Sequence, residues 1–355
     1  MYNNLNKNDN KKWINDYLEI LELCPVCGSK EKTLLYKGLK DLLCYVPGEW
    51  TLYKCLVCDS AFINPRPNKR NILHAYKDYY THESSLNITI KKNGLLRFFR
   101  RAFANGYRNY MFKTNLRPSI FLGIILVLFP LERNTIQSSC RNLSINFPSA
   151  QRLLDIGCGN GDFLYFAKKT GREVVGIDLD EKAVLVAREK GLDVRLGDID
   201  VLNREEKFDI ITLSHVLEHV HDPYYLLQKC YNLLDKNGYI WIDTPNLSSE
   251  GHKIYRENWR GLEPPRHLVL FSYYSLLNTL KKIGFSKIED MPYRPLCKDI
   301  FKSSDLIYKR KLHYNKKNSI NFNFLKSLDI IKNAEIIERK EPSKREFITL
   351  KAWRS

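Results

Sequence analysis

The residues best placed to grip a ligand are Asp155-Ile-Gly157-Cys158-Gly159-Asn-Gly161, followed by Asp178, 21 residues after the first glycine. Three closely spaced glycines let a backbone turn tightly against a bound group, and a carboxylate at that distance can accept both hydroxyls of a ribose. The spacing is G-x-G-x-G, not the dinucleotide pattern G-x-G-x-x-G. An acid two residues ahead of the first glycine suits a cationic amino-acid ligand, not a pyrophosphate. A second constellation, Ser214-His215-Val-Leu-Glu218-His219-Val-His221-Asp222-Pro223, can take a proton from a hydroxyl or an acidic carbon, because a histidine titrates near neutrality. His215 is the leading base, with His219 and His221 behind it, while Asp222-Pro223 reads as a helix N-cap with proline in the first position. A third set, Cys24-Pro-Val-Cys27-Gly and Cys55-Leu-Val-Cys58, forms two C-x-x-C knuckles separated by 27 residues. Four such thiolates close a tetrahedron with no open position, so the zinc they imply is structural. Cys44, Cys140, Cys230 and Cys297 lack such spacing.

These groups need a scaffold that brings strand ends together. Leu153–Ile156 is an apolar run typical of a buried parallel strand, with a helix expected from about Asn160 and a second strand over Val174–Asp178. Phe208–Leu213 reads as the fourth strand and delivers the Ser214–Pro223 segment to the sheet edge where ligands bind in such folds. Asp243-Thr-Pro-Asn246 ends the fifth strand. Ser272–Ile283 reads as a helix closed by Gly284, and a lysine- and asparagine-rich stretch, 302–340, has apolar residues spaced for two helices before a closing strand at Phe347–Trp353.

With these motifs the chain resembles the class I S-adenosylmethionine-dependent methyltransferases. The resemblance covers roughly Arg152–Phe285 plus the final strand. It implies an α/β fold: a Rossmann-like, seven-stranded methyltransferase sheet with helices on both faces, its last strand antiparallel. It also implies that Asp155, Gly157, Cys158, Gly159 and Gly161 shape the cofactor loop, that Asp178 and Leu179 flank the ribose, that Asp198 and Ile199 lie near the adenine, and that Ser214 borders the cofactor. The His215–His219 run resembles ubiquinone-pathway O-methyltransferases, in which an acid followed three and four residues later by Glu and His gathers a divalent cation. Glu218 and His219 match, but His215 replaces the acid. A His215, Glu218, His219 set on one helical face is therefore a secondary metal candidate, and the replacement weakens a quinone acceptor. The run Pro-Arg-His-Leu-x-Leu-Phe-Ser over 265–272 resembles bacterial methyltransferases that carry an N-terminal zinc ribbon and are associated with sugar and surface-polysaccharide assembly. There His267 is a candidate second base and Arg266 a partner for a phosphate.

Length, charge and organisation bound the rest. The 355 residues accommodate a zinc ribbon over 20–67, a basic helical linker over 68–148 and a methyltransferase domain over 149–355. The double-proline exit Asn64-Pro-Arg-Pro67 marks the ribbon's edge, and Asn68–Tyr80 reads as a short helix. The formal net charge of +17 favours an anionic partner: nucleic acid, a phospholipid surface or a phosphorylated substrate. The polar N-terminus, Met1–Lys12, does not read as a cleavable signal, so the expected location is cytoplasmic. From Ser84 to Leu131 there is no acidic residue, and Lys91, Lys92, Arg97, Arg100 and Arg101 interleave with Leu95, Leu96, Phe98 and Phe99. Ile120–Phe129 is about half the length needed to span a bilayer. Two readings stand for 91–131: an interfacial helix pair at the inner membrane face, or an insert whose apolar face packs on the catalytic body or a second copy. The second is preferred, since short apolar runs usually join a core. The expected reaction is methyl transfer to oxygen or carbon of a small polar or lipid-linked saccharide acceptor. Methylation of RNA, a ubiquinone-type O-methylation and a non-catalytic cofactor-binding scaffold are the alternatives. Against nucleic acid, Leu213-Ser-His-Val lacks the Asn/Asp-Pro-Pro-aromatic run of enzymes acting on base amines.

Overall fold

A computed structural model describes residues 13, 15–76, 94–145, 151–314 and 324–355, with no account of the side chains of 312–314 and 324–327. The N-terminal twelve residues, the expected helix beyond Tyr76, and Lys91 and Lys92 lie outside the described residues. Seven strands form the main sheet: β1 Arg152–Ile156, β2 Glu173–Asp178, β3 Asp193–Leu196, β4 Phe208–Ser214, β5 Leu234–Pro245, β6 Phe285–Asp290 and β7 Phe347–Arg354. Their order is β6-β7-β5-β4-β1-β2-β3. β7 runs antiparallel to both neighbours, and the pairs from β5 through β3 are parallel. Chain progression reverses between β1 and β4, which opens a crevice at their C-terminal ends, the usual ligand position of a doubly wound sheet. This is the expected α/β methyltransferase architecture.

The central strands are buried on both faces, which explains their unbroken apolar runs. Leu154, Ile156, Ile211 and Leu213 enter one core, and Leu153, Ile210 and Trp241 enter the other, as the alternation of a strand requires. The flanking helices start where the sequence supplies caps: Asp222 accepts from Tyr225 N before Pro223–Leu233, and Ser272 accepts from Ser275 N before Tyr273–Ile283. Ahead of β7, the expected helical region contains Cys297–Tyr314 and Phe324–Lys340.

The ribbon is fused to this body. Lys32–Leu39, Trp50–Cys55 and Ala61–Ile63 form an antiparallel sheet, whose fourth strand, Val269–Leu270, comes from the catalytic part of the chain. Cys24, Val26, Cys55 and Phe62 belong to the same core as Ile211 and Leu268. Ala61–Pro67 is thus an internal seam: Ala61, Phe62 and Ile63 are buried, and Arg66–Pro67 pairs with Leu18–Glu19.

The stretch after residue 93 folds as helix α1, Gly94–Phe112, a 3-10 helix at Phe121–Leu128, and helix α2, Pro130–Ser139. It docks through Phe112, whose ring meets Phe166 edge-on at 5.2 Å, and through Cys140 and Leu143. Of the preferred expectation, the packing of its apolar face on the catalytic body is corrected, since Leu95, Leu96, Phe98, Phe99, Phe121, Leu122, Ile125 and Leu128 are all exposed in the single chain; packing on a second copy is a separate matter. Met111, Phe112 and Leu116 reach the body's core, while Gly106 packs on the 3-10 helix and Tyr107 bonds Gln137 of α2.

Candidate active site

The glycine loop closes the C-terminal end of β1. Gly157 N and Cys158 N both donate to Ile177 O, locking the loop onto β2. Gly159 adopts φ +53°, and no atom lies within 4 Å of where its Cβ would stand, so this side of the loop is open to a ligand. Gly161, at φ +77°, starts the Asp162–Lys169 helix, and a Cβ there would meet Leu192 at 2.6 Å. Asp178 ends β2 with one oxygen accepting from Gly159 N at 2.7 Å and the other from Asp180 N at 2.9 Å. Burial pushes its pKa up, opposed by those two N–H donors. Gly197 N donates to Asp178 O, which sets the Asp198 turn beside the second-strand acid. Asp198 itself caps Ile199–Val201, Ile199 is buried and Leu179 is exposed.

Beneath the loop, Asp155 is wholly buried. Its Oδ1 accepts from Thr212 Oγ1 at 2.5 Å and lies 3.7 Å from the Arg141 guanidinium, while Oδ2 has no hydrogen-bond partner. Burial raises the Asp155 pKa, and Arg141 and Thr212 moderate the rise. Arg141 is held over the rings of Phe163 and Trp241. Nothing in the sequence around Ser139-Cys-Arg-Asn142 marked it.

The second half of the site is a turn, not a helix. β4 ends in Ser214, and His215 follows with φ +54°, its N–H donating to Asp243 O of β5. A Cβ on Gly157 would strike Val216 Cγ2 at 2.6 Å, so this turn packs against the glycine loop. His215 is half exposed, with Nδ1 3.4 Å from Glu218 Oε1 and Nε2 3.5 Å from Asp243 Oδ2. Burial alone would lower its pKa, but Glu218 and Asp243 outweigh it and the pKa is raised. For Glu218, burial acts to raise the pKa, yet His215 and the other imidazoles hold the carboxyl down at about 2. Its Oε2 accepts from Thr244 Oγ1 at 2.8 Å. Asp243 is likewise buried and kept ionised, mainly by Arg294 and then His215, against desolvation. Arg294 bonds both Asp243 oxygens, and Thr349 donates to one of them at 2.6 Å.

The expected His215, Glu218, His219 metal set is corrected. The helical face it needs does not form, and the ligand atoms that converge are those of Glu218, His219 and His267, within 4.8 Å of one another. His267 Nδ1 lies 2.7 Å from Gly261 O and His219 Nδ1 lies 3.0 Å from Arg266 O. Each imidazole that donates Nδ1–H to its carbonyl keeps the Nε2 lone pair for a cation. Tyr76 Oη also meets His219 Nδ1, at 2.9 Å. His267 is fully buried, and burial pushes its pKa down to about 4, against Glu263. It is therefore neutral, and without the exposure expected of a second base. Arg266 is likewise corrected as a phosphate ligand: it is buried and paired with Asp41 at 2.8 Å and Glu263 at 2.9 Å. His221 bonds Pro67 O, in the seam with the ribbon.

The ribbon's four thiols converge: Cys24 and Cys58 sulfurs lie 3.7 Å apart, and those of Cys27 and Cys55 3.6 Å. These separations are too long for disulfides and close to the edge of about 3.8 Å of a tetrahedron with Zn–S bonds of about 2.3 Å. The two knuckles match, with Gly28 N donating to Cys24 O and Asp59 N to Cys55 O. The ribbon also reaches the site directly. Ile63 N donates to Leu268 O, and Leu268 N and Val269 N both donate to Glu218 O.

An orphaned carboxylate oxygen below the loop, open space above Gly159 and a ribose-type acid at β2 fit S-adenosylmethionine. With the sheet, they are the features of a class I S-adenosylmethionine-dependent methyltransferase domain. Residues 126–290 match the family model described as a methyltransferase domain. Among curated proteins, the chain is similar to the ubiquinone biosynthesis O-methyltransferases of Glaesserella parasuis (36% identical over 116 residues, 29% of this chain and 49% of that one) and Bordetella bronchiseptica (34% over 125 residues, 33% and 50%). The chain thus spans about half the length of these relatives. A solved SAM-dependent methyltransferase from Archaeoglobus fulgidus is 22% identical with a TM-score of 0.41, covering 64% of this chain and 99% of that one.

Proposed function

We propose that the protein transfers a methyl group from S-adenosylmethionine to an oxygen or acidic carbon of a small polar acceptor, a sugar or glycan intermediate. The observation that carries the proposal is His215, half exposed beside the glycine loop with a carboxylate facing each ring nitrogen. Bound cofactor supplies an electrophilic methyl on a sulfonium. Asp155, Gly159 and Asp178 bind and orient it. His215 takes the acceptor's proton, and Glu218 and Asp243 stabilise the imidazolium that results. Asp243, Thr244 and Glu218, all buried, form with Arg294 a polar network behind His215, which holds the imidazole in place. The four-cysteine ribbon takes a structural zinc and holds Val269–Leu270, the strand beside Glu218 and His267, in register.

A second reading, an aromatic diol acceptor, draws on the relatives' name and on the Glu218, His219, His267 cluster. Those residues would hold a divalent cation that orients and acidifies the acceptor hydroxyl. A methylation screen decides between the readings. Turnover of sugar nucleotides or lipid-linked saccharides without added divalent cation supports the first. Turnover confined to catechol-type quinol precursors and abolished by a chelator supports the second, and methylation of bulk RNA alone would sink both.

A further inference from the structure

The hairpin of α1 and the Phe121–Leu128 helix is built inside out for a protein in water. Its interior is made of small residues: a Cβ on Gly106 would lie 1.9 Å from Ile120 O, and one on Gly123 would lie 2.1 Å from Phe103 O, so the two backbones touch. The large apolar side chains point away. Phe121 is 82% exposed, Leu128 75% and Leu95 73%. Small residues between helices with large ones outside is the arrangement that lipid favours. Side chains of α1 satisfy three backbone groups of the connecting turn, which eases its departure from water: Asn105 donates to Pro118 O, and Asn109 donates to Leu116 O while accepting from Leu116 N and Thr114 Oγ1.

Charge identifies the occupant of this face. Leu95, Phe98 and Phe99 recur at i, i+3 and i+4 on one side of α1, and Arg97, Arg100 and Arg101 recur with the same spacing on the other, all exposed. Lys113 and Arg117 add exposed cations at the turn, and no acidic residue occurs between Gly94 and Leu131. A second copy docked on this face would offer the hairpin's cations no acidic partner from its own hairpin. Nucleic acid would match the charge but leave Leu122, Ile125 and Leu128 uncovered. An anionic bilayer surface matches both features. Among the described residues no helix is long and apolar enough to cross a membrane, so the hairpin enters one leaflet only.

We propose that residues 94–129 seat the protein on an anionic phospholipid membrane, with the outward apolar side chains in the acyl boundary and the five named cations among the headgroups. The proposal is independent of the acceptor's identity. The test is flotation of the purified full chain with vesicles of phosphatidylglycerol and phosphatidylethanolamine, against vesicles of phosphatidylcholine. We expect at least about tenfold more bound protein on the anionic vesicles, decreasing as salt is raised. A Phe121→Ser, Leu122→Ser, Leu128→Ser variant should lose binding by about 100-fold and keep its S-adenosylmethionine affinity, which certifies its fold. An Arg97→Gln, Arg100→Gln, Arg101→Gln variant should lose the preference for anionic lipid. Failure of the wild type to float, flotation unaffected by the serine substitutions, or a dimer that those substitutions dissolve in place of flotation would each overturn the proposal.

Discussion

The two halves of the site are assembled differently. The cofactor half is local: Asp155 to Asp178 is one strand, turn, helix and strand, and its contacts, Gly159 to Asp178 and Gly157 to Ile177, join residues about twenty apart in sequence. The proposed acceptor half is collected from across the chain. Tyr76, Glu218, Asp243, His267, Arg294 and Thr349 reach it from separate elements, and Asp41 of the ribbon pins the loop that carries His267 through Arg266. A contiguous motif fixes its own geometry. A dispersed one depends on every element that contributes to it, so the acceptor half should fail under perturbations that leave the cofactor half intact.

Removing the ribbon's thiols tests this separation most severely. Cys55→Ser with Cys58→Ser should abolish both zinc binding and turnover, yet leave calorimetric S-adenosylmethionine binding in place. Loss of both activities would show that the halves fold as one unit. His215→Ala should lower kcat by about 10²- to 10⁴-fold, the usual contribution of a general base, with cofactor affinity unchanged. Asp178→Ala should do the converse, raising the cofactor Kd by about tenfold to 100-fold, the equivalent of a charged hydrogen bond. Arg266→Met leaves Asp41 buried without its cation and Glu263 with Arg260 alone, and should cost about 3–5 kcal/mol in denaturant unfolding. Adding Asp41→Asn should recover part of that.

The smallest effect concerns pH. Because the His215 pKa is raised, the acid limb of the rate profile should lie above the ordinary histidine value of about 6.5. Glu218→Gln removes the larger raising partner and should move the limb down. His267 acts on stability with the opposite sign. Its folded pKa of about 4 lies below the unfolded value of about 6.5, so the unfolded chain binds the proton first. Its stabilisation is complete above about pH 6.5 and is lost as pH falls toward 4. Unfolding of His267→Gln should lack that component.

The same contrast explains what could be read from the sequence. The sheet, the glycine loop, Asp178 and the paired cysteines were legible because strand periodicity, turn glycines and C-x-x-C spacing are short-range signals. Arg294, Tyr76, Asp41 and Arg141 carried no such signal, since their partners lie far away in the chain. The helical face expected for His215, Glu218 and His219 failed because His215 takes a left-handed conformation at the end of β4 and a helix begins only at Pro223. Likewise, 94–129 has the composition of a core helix pair, and only the side-chain directions show that its apolar residues face outward.

The strand shared by ribbon and catalytic body also sets a schedule for synthesis. Phe62 pairs with Val269, about 200 residues later in the chain. At a translation rate of about 5–20 residues per second, that partner follows about 10–40 s behind. For that interval the cysteine knuckles can close while Ala61–Ile63 presents an unpaired, fully apolar edge, the kind of edge that invites wrong pairing. The N-terminal module is therefore made first but completed among the last, and the end of its folding is the moment at which Glu218 and His267 are brought into register.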